Sequence, residues 1–317
     1  MTLSLVVQVY NGGAFWRQCW ESVVANMDLF ESIFVSIGSS PAQREDVALV
    51  EPFISEKVRL LVQERSMSSV EHGRILDNWV ASFEPEGHIF LLCHDDILLR
   101  EGVLELRSLD LKAGDAVFGP WRFFNDEGDP RELTVREFRR ADGTPLSGDF
   151  FGFLQDQKPY SINVSGLVLP AEIYRRRLFP WHLLSYGCRS EYCHLCSPCV
   201  RFVHQLSEPA VKIRRHGGSE GSLMNKADNQ FDTILYLCLA FATYENRWTR
   251  FFIARSVGYA LRLDLVRGIP FLAIAQWRLL KYGVSPGTFS KLARYMAGIV
   301  CTACFNRAAS LFRRRRS

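Results

Sequence analysis

Four short apolar runs, each closed by polar or glycine-bearing residues, constrain this chain more than any other feature. Leu3–Val9 ends at Tyr10-Asn11-Gly12-Gly13, and Ser32–Ile37 ends at Gly38-Ser39-Ser40-Pro41. Val58–Val62 precedes a predicted helix over Val70–Phe83, and His88–Cys93 runs into His94-Asp95-Asp96. Unbroken apolar runs of this length read as strands buried on both faces. Between them, Phe15/Trp16, Cys19/Trp20 and Val23/Val24 recur at helical spacing, and Gln43–Ser55 predicts a short helix interrupted near Pro52. Trp79, Phe83 and Asn78 read as core and capping residues. Strands alternating with helices predict an α/β fold with a mostly parallel sheet covered on both faces. Such sheets bind ligands beyond the carboxyl ends of their strands. The polar residues after Val9, Ile37, Val62 and Cys93 should therefore surround one crevice.

Beyond the fourth run the pattern loosens. Ala116–Phe124 predicts a further strand, and 126–149 a polar loop or hairpin. Ser165–Leu169 reads as strand and Ala171–Arg177 as a short helix. Trp121 is expected to pack in the core. From Phe231 the sequence reads as mostly helical, broken at Gly268-Ile269-Pro270 and again at residues 283–287. A length of 317 residues predicts about two packed units. The net charge of +4 conceals a polarity that separates them: from Arg247 onward fourteen Lys+Arg face a single acid, Asp264. The body before it is acidic. Leu3–Val9 follows Met1-Thr2 without the basic segment of a secretory leader, and nine cysteines then read as reduced cytosolic thiols. No uncharged stretch reaches the ~18 residues of a spanning helix.

Among candidate chemical groups, Asp95-Asp96 stands out. Paired carboxylates at a strand terminus can hold a hard divalent cation, which in turn binds phosphate oxygens. A solvated acidic turn is the plain alternative; the position after the fourth strand favours the site.

Taken in order, several segments resemble the inverting family 2 glycosyltransferases. They are Val9-Tyr10-Asn11-Gly12, Glu21-Ser22-Val23-Val24, Asp95-Asp96-Ile97-Leu98, Gly166…Glu172, Ser190-Glu191, and Pro209…Arg214-Arg215-His216-Gly217-Gly218-Ser219. The resemblance covers roughly residues 3–222. It implies a GT-A fold, a Rossmann-like sheet flanked by helices, over 1–225; the charge boundary and the helical pattern set off 226–317 as a C-terminal α-helical, membrane-associated extension. The resemblance further implies a nucleotide-sugar donor, of the UDP- or dTDP-sugar kind, and Mg²⁺ or Mn²⁺. Tyr10 and Asn11 would line the nucleotide pocket. Asp95 would contact the ribose or a metal-bound water, Asp96 would ligate the metal, and Arg214, Arg215 and His216 would close over the diphosphate, His216 as a further ligand. Glu191 would be the general base that deprotonates the acceptor hydroxyl.

Two departures from the family pattern matter. Ser190-Glu191 stands where Glu-Asp is common, and Ser36-Ile37-Gly38-Ser39 replaces Asp-Asp-Gly-Ser. Ser36 then offers the base a neutral hydrogen bond in place of a charge-assisted one. Cys188, Cys193, Cys196 and Cys199 invite a metal reading, but the two separated pairs of a zinc site are missing, and small core residues on a helix explain them better.

Residues 247–317 interleave arginine with Phe, Trp, Leu and Ile, as interfacial helices on an anionic leaflet do. A packed helical subdomain with a basic face is the alternative, and no nucleic-acid partner is expected. The expected protein is a glycosyltransferase on the inner face of the cell membrane, acting on a glycan or glycolipid acceptor in cell-surface polysaccharide or O-antigen synthesis. A non-catalytic nucleotide- or glycan-binding relative and a Cys-cluster metal protein with a basic partner-binding tail are the rival expectations.

Overall fold

The computed structural model describes residues 1–125, 134–136, 148–149, 163–178 and 199–215, with eight helical positions between 287 and 301. The four apolar runs form strands β1 (Leu3–Val9), β2 (Ser32–Ile37), β3 (Val58–Val62) and β4 (His88–Cys93). They pair in parallel in the order β3-β2-β1-β4, with Val7 opposite both Val35 and Leu92. β1 is central, and six of its seven side chains are buried. A fully buried aliphatic or aromatic side chain contributes about 1.5–3 kcal/mol, so this strand and its neighbours anchor the core.

Helix α1 (Gly13–Val24) follows β1, and α2 (Gln43–Val50) follows β2, giving way to a 3₁₀ turn at Glu51–Phe53 where Pro52 removes a donor. Helix α3 (Ser69–Ala81) follows β3 and is capped by Ser68, whose hydroxyl accepts the Glu71 N–H at 3.2 Å. Its far end meets an aromatic cluster in which Phe34, Trp79 and Phe83 touch edge-on or tilted, with the Arg59 guanidinium 4.1 Å over Phe83.

After β4 come β5 (Ile97–Leu98), α4 (Arg100–Ser108), β6 (Asp115–Phe118), β7 (Trp121–Asn125), β8 (Thr134–Arg136) and β9 (Gly148–Asp149). Then follow β10 (Val168–Pro170), α5 (Glu172–Arg175), β11 (Phe202–Gln205) and β12 (Val211–Arg215). The main sheet has eight strands in the order β3-β2-β1-β4-β10-β6-β11-β9, and β5-β12-β7-β8 form a second sheet. β10 runs antiparallel to β4 and β6, so the sheet is mixed beyond β4.

One sequence expectation fails here: Ala116–Phe124 is two strands. Gly119-Pro120 interrupts the ladder because proline has no N–H to contribute, and the chain passes from the main sheet at β6 to the second sheet at β7. β8 pairs antiparallel with β7, which supplies the hairpin arm expected within 126–149. Trp121 is buried, as its packing role requires.

The chain divides into two compact units, Met1–Trp181 with Ser190–Ser222 and His182–Arg189 with Leu223–Ser317. Every strand and helix named above belongs to the first. Among the described residues no helix is long and apolar enough to cross a membrane. The expected helices from Phe231 lie outside the described residues, apart from the helical positions between 287 and 301.

Candidate active site

The parallel register of β3-β2-β1-β4 places the four following turns along one edge of the sheet. The first, Tyr10-Asn11-Gly12-Gly13, is held by a residue the sequence did not single out. Asp46, fully buried on α2, accepts the Gly12 N–H at 3.0 Å and the Gly13 N–H at 2.9 Å. Its own carbonyl accepts the Trp16 indole N–H at 3.1 Å. Helix α1 has no side-chain cap of its own, so a carboxylate from 33 and 34 residues away satisfies its first donors. Asn11 takes a left-handed φ of 51°, which asparagine tolerates better than most residues. A side chain on Gly12 would collide with Trp16. Tyr10 leaves this turn half exposed, its ring against Gly38, where an added Cβ would lie 3.0 Å from Cδ2.

Behind Tyr10 lies a buried polar group. Ser36 is fully buried, and its Oγ lies 2.8 Å from His72 Nε2 and accepts the Gln63 amide at 3.3 Å. Gln43 fixes Gln63 in turn, donating to its carbonyl at 2.6 Å. Burial, with a smaller contribution from His94, pushes the His72 imidazole down to about 4, so the ring is neutral at physiological pH. A ligand that reaches Ser36 must compete with two bonds already made.

The acidic end is built on the β4 turn. Asp96 is buried, and its Oδ1 accepts the Arg214 backbone N–H at 2.8 Å. Ser165 bridges the same turn, accepting the Cys93 N–H at 3.1 Å and hydrogen-bonding the Asp96 carboxylate. Burial and then the adjacent Asp95 charge push the Asp96 carboxyl well above the usual carboxylate range; the Arg214 N–H opposes them. Arg214 Nε donates to the Asp95 carbonyl at 2.9 Å and Nη2 to Gln18 Oε1 at 2.5 Å. The guanidinium lies 4.5 Å from the ring centre of Phe15 and 4.3 Å from that of Phe124. This side chain is buried and serves as a pin between β12 and the Asp95-Asp96 turn.

Cys93 Sγ and carboxylate oxygens of Asp95 and Asp96 all lie within 4.8 Å of one another. That spacing fits one ion: two carboxylates supply oxygen donors, and their mutual repulsion favours a cation between them. Of the residues the sequence nominated, Tyr10, Asn11, Ser36, Asp95, Asp96 and Arg214 stand along this edge. Arg215 continues β12, paired with Asn125. Glu191, His216, Cys188, Cys193 and Cys196 lie outside the described residues; Cys199 is buried and faces the Arg176 guanidinium at 3.8 Å. Asp46, Gln18, Gln63 and His72 were missed. Only Gln63 had a signal, as the first residue after β3.

No known family profile and no curated protein matches the sequence. Among solved structures the chain is similar to S. aureus TarS 1–349, at 11% identity over 96% of this chain and 89% of that one, with a TM-score of 0.57. It is also similar to GalNAc-T7 with UDP, GalNAc and Mn²⁺, at 12% identity over 86% of this chain and 55% of that one, with a TM-score of 0.55. Both neighbours are glycosyltransferases. This is the GT-A fold. Within GT-A topology the Asp95-Asp96 turn closes the fourth parallel strand, beside the point where antiparallel β10 joins the sheet.

Proposed function

We propose that the chain is a nucleotide-sugar-dependent glycosyltransferase of the inverting type, transferring a hexose to a carbohydrate acceptor. The carrying observation is the buried Asp96 beside Asp95, fixed from three directions at the carboxyl edge of a GT-A sheet. Asp95 and Asp96 would hold a divalent cation, which would supply positive charge where the diphosphate leaving group gains negative charge. Mn²⁺ in the GalNAc-T7 structure supports Mn²⁺ or Mg²⁺ here, and its UDP supports a UDP-sugar donor, with a dTDP-sugar as the alternative.

The residues of this chain then divide the work. Tyr10 offers an exposed ring for the nucleotide base. Asp46 already occupies the first amides of α1, so that helix terminus is closed to the diphosphate. Arg214 orients the two carboxylates. Arg215 and His216 are assigned to the diphosphate, His216 as a further metal ligand. Glu191 takes the proton of the acceptor hydroxyl as the anomeric carbon is attacked from the face opposite the phosphate. The basic segment 247–317 holds the enzyme on the inner, anionic face of the membrane, where a lipid-linked glycan of polysaccharide or O-antigen synthesis is available.

The test is release of nucleoside diphosphate from a panel of nucleotide sugars, with and without Mn²⁺. Turnover that requires the ion and falls at least about 100-fold in Asp96→Asn supports the reading. No release from any donor, with thermal stabilisation by one of them, would instead establish a binding relative. The commitment of Ser36 to His72 and Gln63 is the observation that keeps this second reading in view.

A further inference from the structure

The donor set at the β4 turn is not all oxygen. Cys93 is the last residue of β4, and its Sγ shares the 4.8 Å cluster with Asp95 and Asp96. Its backbone is fixed on both sides, the N–H on Ser165 Oγ at 3.1 Å and the carbonyl accepting from Cys19 Sγ at 3.6 Å. Asp96 is fixed by Arg214 and Ser165. Ser165 thus ties the Cys93 backbone and the Asp96 carboxylate together, Arg214 anchors Asp96 from β12, and the Sγ lies beside both carboxylates as one member of a ligand set. Sulfur and oxygen donors select different ions: Mg²⁺ demands oxygen ligands and keeps its waters, whereas thiolate draws Zn²⁺, Cd²⁺ and Co²⁺.

We propose that Cys93 Sγ is a third, soft ligand of the ion held by Asp95 and Asp96, making the site favour Mn²⁺ and thiophilic divalent ions over Mg²⁺. This rests on reading Asp95 and Asp96 as a cation site. Coordination forms a metal–sulfur bond and releases the thiol proton to water, with no change of oxidation state. The same sulfur makes the site open to Zn²⁺ or Cd²⁺, which compete with the ion that supports turnover.

The experiment uses the full chain and Co²⁺ as a spectroscopic probe, since a Co²⁺–thiolate bond absorbs in the near ultraviolet and Co²⁺ on oxygen ligands does not. The wild-type protein should show this band. Cys93→Ser and Asp96→Asn should each lose it, Cys19→Ser should keep it, and added Zn²⁺, which binds such donors more tightly than Co²⁺, should bleach it. Cd²⁺ affinity should fall by at least about tenfold in Cys93→Ser, while Mg²⁺ affinity holds or rises. A wild-type protein without the band, or with a band that Zn²⁺ leaves intact, overturns the proposal even if the variants fail to fold. Electron paramagnetic resonance of Mn²⁺ separates the two levels. Mn²⁺ bound in an Asp96-dependent way without the thiolate band rejects the Cys93 ligand alone; no bound Mn²⁺ rejects the cation site as well.

Discussion

Three buried polar residues each answer a problem that their neighbours create, and each can be tested alone. Asp46 satisfies two amides that α1 cannot cap for itself. Asp46→Ala strands them in a dry environment and should cost about 1–3 kcal/mol in denaturant unfolding, Asp46→Asn less. His72 stays neutral because burial holds it near 4, against 6.5 in solvent. A depressed pKa contributes stability that is full above 6.5 and is lost as pH falls toward 4, because the unfolded chain takes up the proton first. The wild type should lose up to about 3 kcal/mol across that window, and His72→Gln should show a flatter profile in chemical denaturation at stepped pH. Arg214 holds the Asp96 carboxylate with its backbone N–H, while its fork fixes the turn through the Asp95 carbonyl and Gln18 between two aromatic rings. Arg214→Lys keeps the charge but not the fork, and should weaken Mn²⁺ binding by about 10–100-fold in a titration followed by electron paramagnetic resonance.

Helix α4 is the element that delivers β12 to the site. Glu105 accepts the N–H groups of Ser207 and Glu208, each at 2.8 Å, and the Leu99 N–H reaches the Ala210 carbonyl at 2.9 Å. Gly102 lets the helix pack directly on the Pro209-Ala210 backbone, leaving no room for a methyl group. Gly102→Ala should therefore cost about 1–3 kcal/mol in thermal unfolding and, by shifting β12, lower Mn²⁺ affinity as well. None of this was legible in the sequence. β1 to β4 were, with their boundaries, because a strand buried on both faces must be apolar throughout and must end at a polar turn. β5, two residues long, and β12, with its charged Lys212 and Arg214, carry no such signature. Their pairing comes from contacts with β7 and with each other. Ala116–Phe124 was read as one strand because apolar content continues across Gly119-Pro120, although the backbone cannot. The site divides in the same way. Asp95-Asp96 announced itself by its place after an apolar strand, whereas Asp46 and His72 sit on helices where an acid or an imidazole ordinarily faces water.

For the whole chain, the charge divides as sharply as the sequence does: fourteen basic residues and one acid from Arg247 onward, on a chain with 34 acids in all. Under the proposed membrane role, about 1 kcal/mol per basic residue near an anionic surface would make even partial engagement strong and salt-sensitive. The full chain should sediment with phosphatidylserine-containing vesicles at low salt and be released at high salt, whereas a chain ending at Lys226 should remain in the supernatant at both. The order of synthesis adds a further consequence of the Arg214 pin. Asp96 and its backbone donor are 118 residues apart, and Gln18 lies 196 residues from the same arginine. A nascent chain that has passed the turn after β4 carries both carboxylates but not the Arg214 N–H that binds Asp96. Contacts this distant close late. The proposed ion site therefore joins the first helix to the last described strand, and its carboxylates gain their backbone donor only once β12 has been synthesised.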